Sequence, residues 1–157
     1  MRFAVTEANI LKESNHPFVL KMYYSFQTPQ NLYLVTDFCA GKDLSFIIAQ
    51  KVMLEEKDAK FYIAEIILAL IYLHKNNILY RDMKPENVLI DIDGHIKLAD
   101  FGLSKENVGD NDLTQTFCGS PACIIFIFKI CHLKLSRKKE LIKLLIFMEL
   151  VVFYMNC

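Results

Sequence analysis

The sequence has no net charge, no CxxC pair, no apolar run of membrane-spanning length and no internal repeat. Each absence removes a class of protein. Lys and Arg together number 18 and Asp and Glu also 18, so no global field draws the chain to nucleic acid or an anionic bilayer, and neither is expected as a partner. The five cysteines, Cys39, Cys118, Cys123, Cys131 and Cys157, are odd in number and unclustered, in a chain of 157 residues that needs no covalent staples. They read as reduced thiols of a cytoplasmic compartment. No stretch reaches the roughly 18 apolar residues of a spanning helix, and the opening MRFAVTEANI has no apolar core for a signal peptide. The reading is a soluble intracellular protein.

What is present is 54% apolar residues, enough for one globular domain with a sizeable core. Residues 3 to 13 carry Val5, Ile10 and Leu11 at near-helical spacing, and Pro17 marks the stop. Two runs rich in β-formers, Phe18 to Phe26 and Asn31 to Phe38, flank Thr28-Pro29-Gln30 and predict a hairpin. A short helix is expected from about Asp43 to Lys51 after the break at Ala40-Gly41-Lys42. From Asp58 to Lys75 a central helix is expected to bury Phe61, Ile63, Ile66, Ile67, Leu70 and Leu73, with Asn76-Asn77 as its left-handed stop. Lys60 and Glu65 within it argue against a membrane span.

The segment around Asp93-Gly94 predicts a second hairpin, joining Val88-Leu89-Ile90 to His95-Ile96-Lys97-Leu98 through a two-residue turn. Counted outward from that turn, Ile92 faces His95, Ile90 faces Lys97 and Asn87 faces Asp100. Cross-strand Cβ atoms lie about 5 Å apart, so Asn87 and Asp100 could share a hard divalent cation. Asp82 and Lys84 sit in the loop just upstream. A carboxylate, an ammonium and a metal at one mouth suit phosphoryl transfer, where positioning and charge neutralisation supply most of the catalysis. His16, His74 and His95 have no partner at metal-ligand spacing and read as structural.

Tyr80-Arg81-Asp82-Met83-Lys84-Pro85-Glu86-Asn87 resembles the protein-kinase catalytic loop HRDxxxxN, with Tyr80 in the histidine place, and Asp100-Phe101-Gly102 resembles its DFG motif. The KPEN run is similar to serine/threonine kinases. Tyr80, together with Thr116-Phe117-Cys118-Gly119-Ser120-Pro121, further resembles the AGC group. TEANIL followed by HPF looks like the αC helix and the loop leaving it, and NLYLVTDFCAG like the strand entering the hinge.

The resemblance implies a fold and a set of roles. The fold is α+β and protein kinase-like but partial: a small-lobe remnant from αC onward, the hinge, and the first half of a helical lobe with the catalytic hairpin, over residues 1–122. The activity is transfer of the γ-phosphate of ATP to serine or threonine of protein substrates, near basic residues. Asp82 would orient and deprotonate the substrate hydroxyl, Lys84 steady the γ-phosphate, and Asn87 and Asp100 hold Mg²⁺. Around ATP stand Glu7 as the αC glutamate, Thr36 as gatekeeper, Asp37 and Cys39 as hinge residues, Leu89 as the floor beneath adenine, and Asp43 at the cleft edge. Asp43 and Glu86 match acidic positions that recognise basic substrate residues, and Asp43 fits a helix N-cap equally well. Ser120 matches the small hydroxyl residue that contacts Asp82 and Lys84. Thr116 matches the activation-loop phosphothreonine, a target for an upstream kinase, with Arg81 and Lys105 placed to pair its phosphate.

The pattern also fails in places. These residues contain no Gly-rich loop and no β3 lysine to pair with Glu7, so little or no turnover is expected of this chain, and a non-catalytic interaction module is the alternative reading. After Pro121-Ala122 the family's APE-like motif is replaced by residues 123–157, which do not resemble a kinase. Codons for Cys123 to Lys129 can be written so that GT follows the first T and AG closes the segment, as in a very short retained intron. Its removal shifts the frame so that the following residues can recode as YMSPE and then KGVDKASDIYGIGGVLYEL, continuing GSPA as the family does. The other reading of the tail is a genuine amphipathic helix from Leu133 to Tyr154.

Overall fold

The computed structural model describes residues 2–51 and 54–104. Within them the chain runs α1 (Arg2–Glu13), β1 (Met22–Gln27), β2 (Leu32–Thr36), α2 (Leu44–Lys51), α3 (Glu56–Lys75), a single 3₁₀ turn (Pro85–Asn87), β3 (Val88–Ile90) and β4 (Ile96–Leu98). No helix among the described residues is long and apolar enough to cross a membrane. Residues 105–157, including the whole tail, lie outside the described residues.

The core forms where α1, α3 and the second hairpin converge. Ile10 and Leu11 of α1, Ile63, Ile66, Ala69 and Leu73 of α3, and Val88, Ile90, Ile96 and Leu98 of β3 and β4 are all buried, with Phe101 beneath them. The α3 residues recur at intervals of three and four, as a helix burying one stripe requires. Phe61, expected in that stripe, is 43% exposed and packs at its edge against Tyr62 and His95, while Ile67 and Leu70 are half-buried. The helix is amphipathic, so not every apolar residue along it can face inward. Asn77 closes α3 in the left-handed region, with φ 57°.

Each two-stranded sheet is antiparallel. In the first, Gln27 pairs with Leu32 and Met22 with Thr36, and an irregularity between Met22 and Tyr24 leaves Tyr23 as an extra residue in β1. Tyr23, Tyr24, Phe26, Tyr33 and Val35 of this hairpin are exposed.

The second hairpin corrects the expected register by one residue. Val88 pairs with Leu98, Leu89 with Lys97 and Ile90 with Ile96. The Ala99 amide donates to the Asn87 carbonyl at 2.9 Å, so Asn87 stands opposite Ala99 and not Asp100. The cause is the turn. It holds three residues, 92–94, with the Gly94 amide donating to the Asp91 carbonyl at 3.3 Å and Gly94 at φ 89°. The Asp91 carboxylate accepts from the Asp93 and His95 amides at 3.0 and 2.9 Å, which stabilises the longer loop.

This hairpin is flanked on both sides. Residues 18–20 run parallel to β4, the Leu98 amide donating to the Phe18 carbonyl and the Leu20 amide to the Leu98 carbonyl, both at 2.9 Å. On the β3 side the Gly41 amide donates to the Ile90 carbonyl at 2.9 Å, and the Ile90 amide to the Lys42 carbonyl at 2.8 Å. Position 41 must be glycine, because a Cβ there would lie 2.7 Å from Ile90 Cγ2. The segments before β1 and after β2 are thereby bound to the strand pair that carries the site.

Candidate functional site

The loop that ends at the 3₁₀ turn gathers three of the expected residues directly. Lys84 Nζ stands 2.7 Å from Asp82 Oδ2. Asn87, 5% exposed, donates its side-chain amide to the same Oδ2 at 3.0 Å and to the Asp82 carbonyl at 2.9 Å. Pro85 begins the turn at a position where its missing N–H costs nothing, and the turn swings Asn87 back toward Asp82. Since the Asn87 nitrogen is spent on Asp82, its Oδ1 is the end left to accept or to ligate.

Asp100 follows Ala99, the residue that stands opposite Asn87. It leaves the strand path with φ 57°, a conformation that aspartate tolerates better than most residues. Strand alternation then no longer dictates the direction of its carboxylate, which also accepts from the Gly102 amide at 3.4 Å. Its charge is felt by both Lys84 and Glu7.

Electrostatics follow from these contacts. The hydrogen bond from Lys84 is the main cause holding the Asp82 carboxyl below its ordinary value; burial opposes it and Asn87 adds to it. The same contact raises Lys84. Asp82 is therefore anionic at neutral pH, and Lys84 cationic. Glu7 is shifted up, chiefly by burial and then by Asp100, although the Phe101 amide donates to it.

Tyr80 fixes this segment from below. Buried at 4% exposure, it donates its hydroxyl to the Ala99 carbonyl at 2.5 Å and meets the Phe101 ring edge-on at 5.2 Å. Beside it, Arg81 Nε donates to the Leu103 carbonyl at 2.9 Å. Lys105, Thr116 and Ser120 lie outside the described residues.

The remaining expected residues sit around the floor of β3 and β4. Leu89 is half-buried on the hairpin face turned away from the core. Thr36 ends β2, and its hydroxyl donates to the Asp37 carbonyl at 3.3 Å. Asp37 uses its side chain on Tyr23, Lys21 and Lys97, and its amide on the Lys21 carbonyl. Cys39 is a half-buried free thiol, pushed up by burial first and by Asp37 next. Asp43 caps α2, its Oδ1 accepting from the Phe46 amide at 2.9 Å and from the Ser45 hydroxyl. Glu86 is exposed on the 3₁₀ turn.

Among the described residues no group of three or more His, Cys, Asp or Glu side chains could hold a metal unaided. The oxygens offered by Asn87 and Asp100 fit magnesium, which commonly binds through one or two protein ligands and completes its shell with phosphate and water. Protein kinases, the family that these motifs resemble, generally use ATP and Mg²⁺.

The sequence pattern of the protein kinase domain matches residues 2–124, and the chain belongs to that family. Its α+β arrangement is that of a partial kinase domain. The chain is 53% identical to ribosomal protein S6 kinase alpha-3 of Mus musculus and of Homo sapiens, over 114 residues that make up 73% of this chain and 15% of each relative. The putative ribosomal protein S6 kinase alpha-1 of Caenorhabditis elegans is also 53% identical, over 73% of this chain and 14% of its own length. The chain thus spans about 15% of the length of the curated relatives it matches. The likeness to these kinases agrees with the AGC character of Tyr80 and TFCGSP.

Proposed function

We propose that the protein transfers the γ-phosphate of ATP to serine or threonine hydroxyls of protein substrates with basic residues near the acceptor. The observation that carries this reading is the contact set joining Asp82 to both Lys84 and Asn87. Asp82, kept anionic by these neighbours, accepts a hydrogen bond from the substrate hydroxyl and aims its oxygen at the phosphate. A carboxylate of lowered basicity is a weak ground-state base, so it takes the proton late, as the acceptor oxygen loses its electron density to phosphorus. Lys84 bridges Asp82 and the transferring group, offsetting charge on the phosphoryl oxygens. Asn87 and Asp100 hold Mg²⁺, which supplies charge neutralisation on the β- and γ-phosphates when bound.

At the other end of the cleft, Leu89 lies under adenine, Thr36 guards the back, and the backbone at Asp37 and Cys39 addresses the base edge. Glu86 and the free oxygen of Asp43 recognise basic substrate residues, with Ser120 at the acceptor side. Phosphate on Thr116, added by an upstream kinase, pairs Arg81 and Lys105; Arg81 then exchanges its bond to Leu103 for a stronger charge-assisted one. Because these residues include no Gly-rich loop and no lysine facing Glu7 from a third strand, the 157-residue polypeptide by itself turns over little.

The test is Mg²⁺-dependent binding of a fluorescent non-hydrolysable ATP analogue, alongside γ-phosphate transfer to a basic peptide. Saturable binding that loses its Mg²⁺ dependence in Asp100→Ala is expected, with any transfer vanishing in Asp82→Asn. No binding at millimolar analogue would overturn the reading. The exposed Tyr24 and Phe26 favour, as a second reading, a non-catalytic module that docks to a partner; partner binding that saturates without any nucleotide binding would select it.

A further inference from the structure

The Asp37 carboxylate is held by three groups, two at the start of β1 and one from β4. The Tyr23 hydroxyl donates to Oδ1 at 2.8 Å, the Lys21 amide donates to Oδ2 at 3.2 Å, and Lys97 Nζ stands 3.3 Å from Oδ2. Burial alone would raise this carboxyl, and the three partners together overcome burial and leave it below its ordinary value. Tyr23 reaches Asp37 from the irregular position in β1, where an extra residue redirects its side chain out of the ladder. Lys97 reaches it from β4.

Position decides what this contact can do. Lys97 stands directly opposite Leu89 in the second hairpin, on the face that the buried Val88, Ile90, Ile96 and Leu98 leave free. Its ammonium therefore runs from the strand pair that floors the cleft to the first residue after β2. The side chains of Lys97 and Asp37 are each 18% exposed, whereas those of the surface pair Lys51 and Asp58 are 51% and 33% exposed. Water and salt screen the sheltered pair less, so it resists separation better than an ordinary surface ion pair.

We infer that Lys97 and Tyr23 are positioning residues for the base-binding end of the cleft: by clamping Asp37 they fix the separation between Leu89 and the backbone at residues 37–39. This rests on the nucleotide reading above. A flat heterocycle slides between a floor and a rim only if the gap matches its thickness, and a gap already set before binding leaves less ordering to be done on association. Loss of Lys97 loosens the rim, because the hydroxyl of Tyr23 and one amide then hold a carboxylate that has lost its counter-charge, while the Asp37 amide keeps its bond to the Lys21 carbonyl. Loss of the Tyr23 hydroxyl acts in the same direction and more weakly, since a neutral donor contributes less than a charged one. The triphosphate end, built from Asp82, Asn87 and Asp100, shares none of these contacts and is untouched.

The experiment uses Lys97→Met, which keeps the length of the side chain without its charge, and Tyr23→Phe. Two ligands are titrated by calorimetry: adenosine, which needs only the base end, and magnesium tripolyphosphate, which needs only the other. Amide hydrogen exchange at Asp37 and Cys39 is followed without ligand. In Lys97→Met, adenosine affinity falls about tenfold and tripolyphosphate affinity holds, while the two amides exchange about tenfold faster. Tyr23→Phe gives smaller changes of the same sign. Unchanged exchange at both amides overturns the clamp, as does an equal loss of both ligands, which signals a global loss of structure. If the unmodified chain binds neither ligand, the nucleotide reading falls and the base-positioning role with it, whatever the exchange shows.

Discussion

Glu65 and His95 are 30 residues apart in sequence, yet the His95 Nδ1 lies 2.5 Å from Glu65 Oε1, and the other carboxylate oxygen accepts the Ile96 amide at 2.9 Å. A 5% exposed carboxylate in the middle of α3 thus pins the outer end of the second hairpin. Replacing Glu65 by alanine strips a buried amide of its acceptor. Chemical denaturation should record a loss of about 1–3 kcal/mol.

The same contact makes stability depend on pH. The hydrogen bond that His95 donates to Glu65 is the largest cause raising His95, with Asp91 and Asp93 adding to it. A raised folded-state value means that the contribution is complete below the unfolded histidine value of about 6.5 and is lost as pH climbs through the folded value. Melting curves taken at increasing pH above 6.5 should show a declining Tm, and His95→Gln should flatten that decline.

Asp43 distinguishes two roles by one pair of substitutions. Asp43→Ala removes the cap of α2 and should lower stability by about 1 kcal/mol, whereas Asp43→Ser keeps a capping oxygen and should lower it by much less. A serine cannot attract a basic peptide. If Asp43→Ser weakens binding of such a peptide while thermal unfolding stays near the parent value, the residue serves substrate as well as helix.

Gly41→Ala should destabilise by about 1–3 kcal/mol in urea titrations, through forced displacement of the Ile90 side chain and carbonyl. The added Cβ would sit 2.8 Å from Ile90 Cβ and 3.0 Å from its carbonyl oxygen. Gly94→Ala meets no neighbour within 4 Å, and its cost comes from φ 89° alone.

Removing the Tyr80 hydroxyl should leave the ring contact with Phe101 and delete the bond to Ala99. For Tyr80→Phe, calorimetric unfolding should show a loss of about 0.5–1.5 kcal/mol. A much larger loss would mean that the hydroxyl also supports contacts beyond Ala99.

Helices and strands were legible because their signals are local. The spacing of Ile10 and Leu11, the stop at Asn76-Asn77 and the turn around Pro29 all fell where α1, α3 and the first hairpin lie. The register of the second hairpin was not legible from Asp93-Gly94, which suits a two-residue turn as well as the last part of a three-residue one. The deciding group is Asp91, whose side chain stabilises the longer loop, and an aspartate at the start of such a turn is a usable sequence signal. Glu65 was read only as an argument against a membrane span, because nothing in α3 reveals that the Ile96 amide will need it. The cluster of Asp82, Lys84 and Asn87 was legible from motif spacing, while the left-handed backbone at Asp100 is visible only in three dimensions.

The parallel pairing of residues 18–20 with Leu98 encloses the first hairpin, α2, α3 and the loop of Asp82 and Lys84 in one closed circuit. During synthesis that circuit cannot shut until Leu98 has left the ribosome. Val19 and Leu20, both buried in the folded chain, leave the ribosome before Leu98 and wait for it unpaired. The nascent chain accordingly carries an early sticky segment, the place where a holdase would bind.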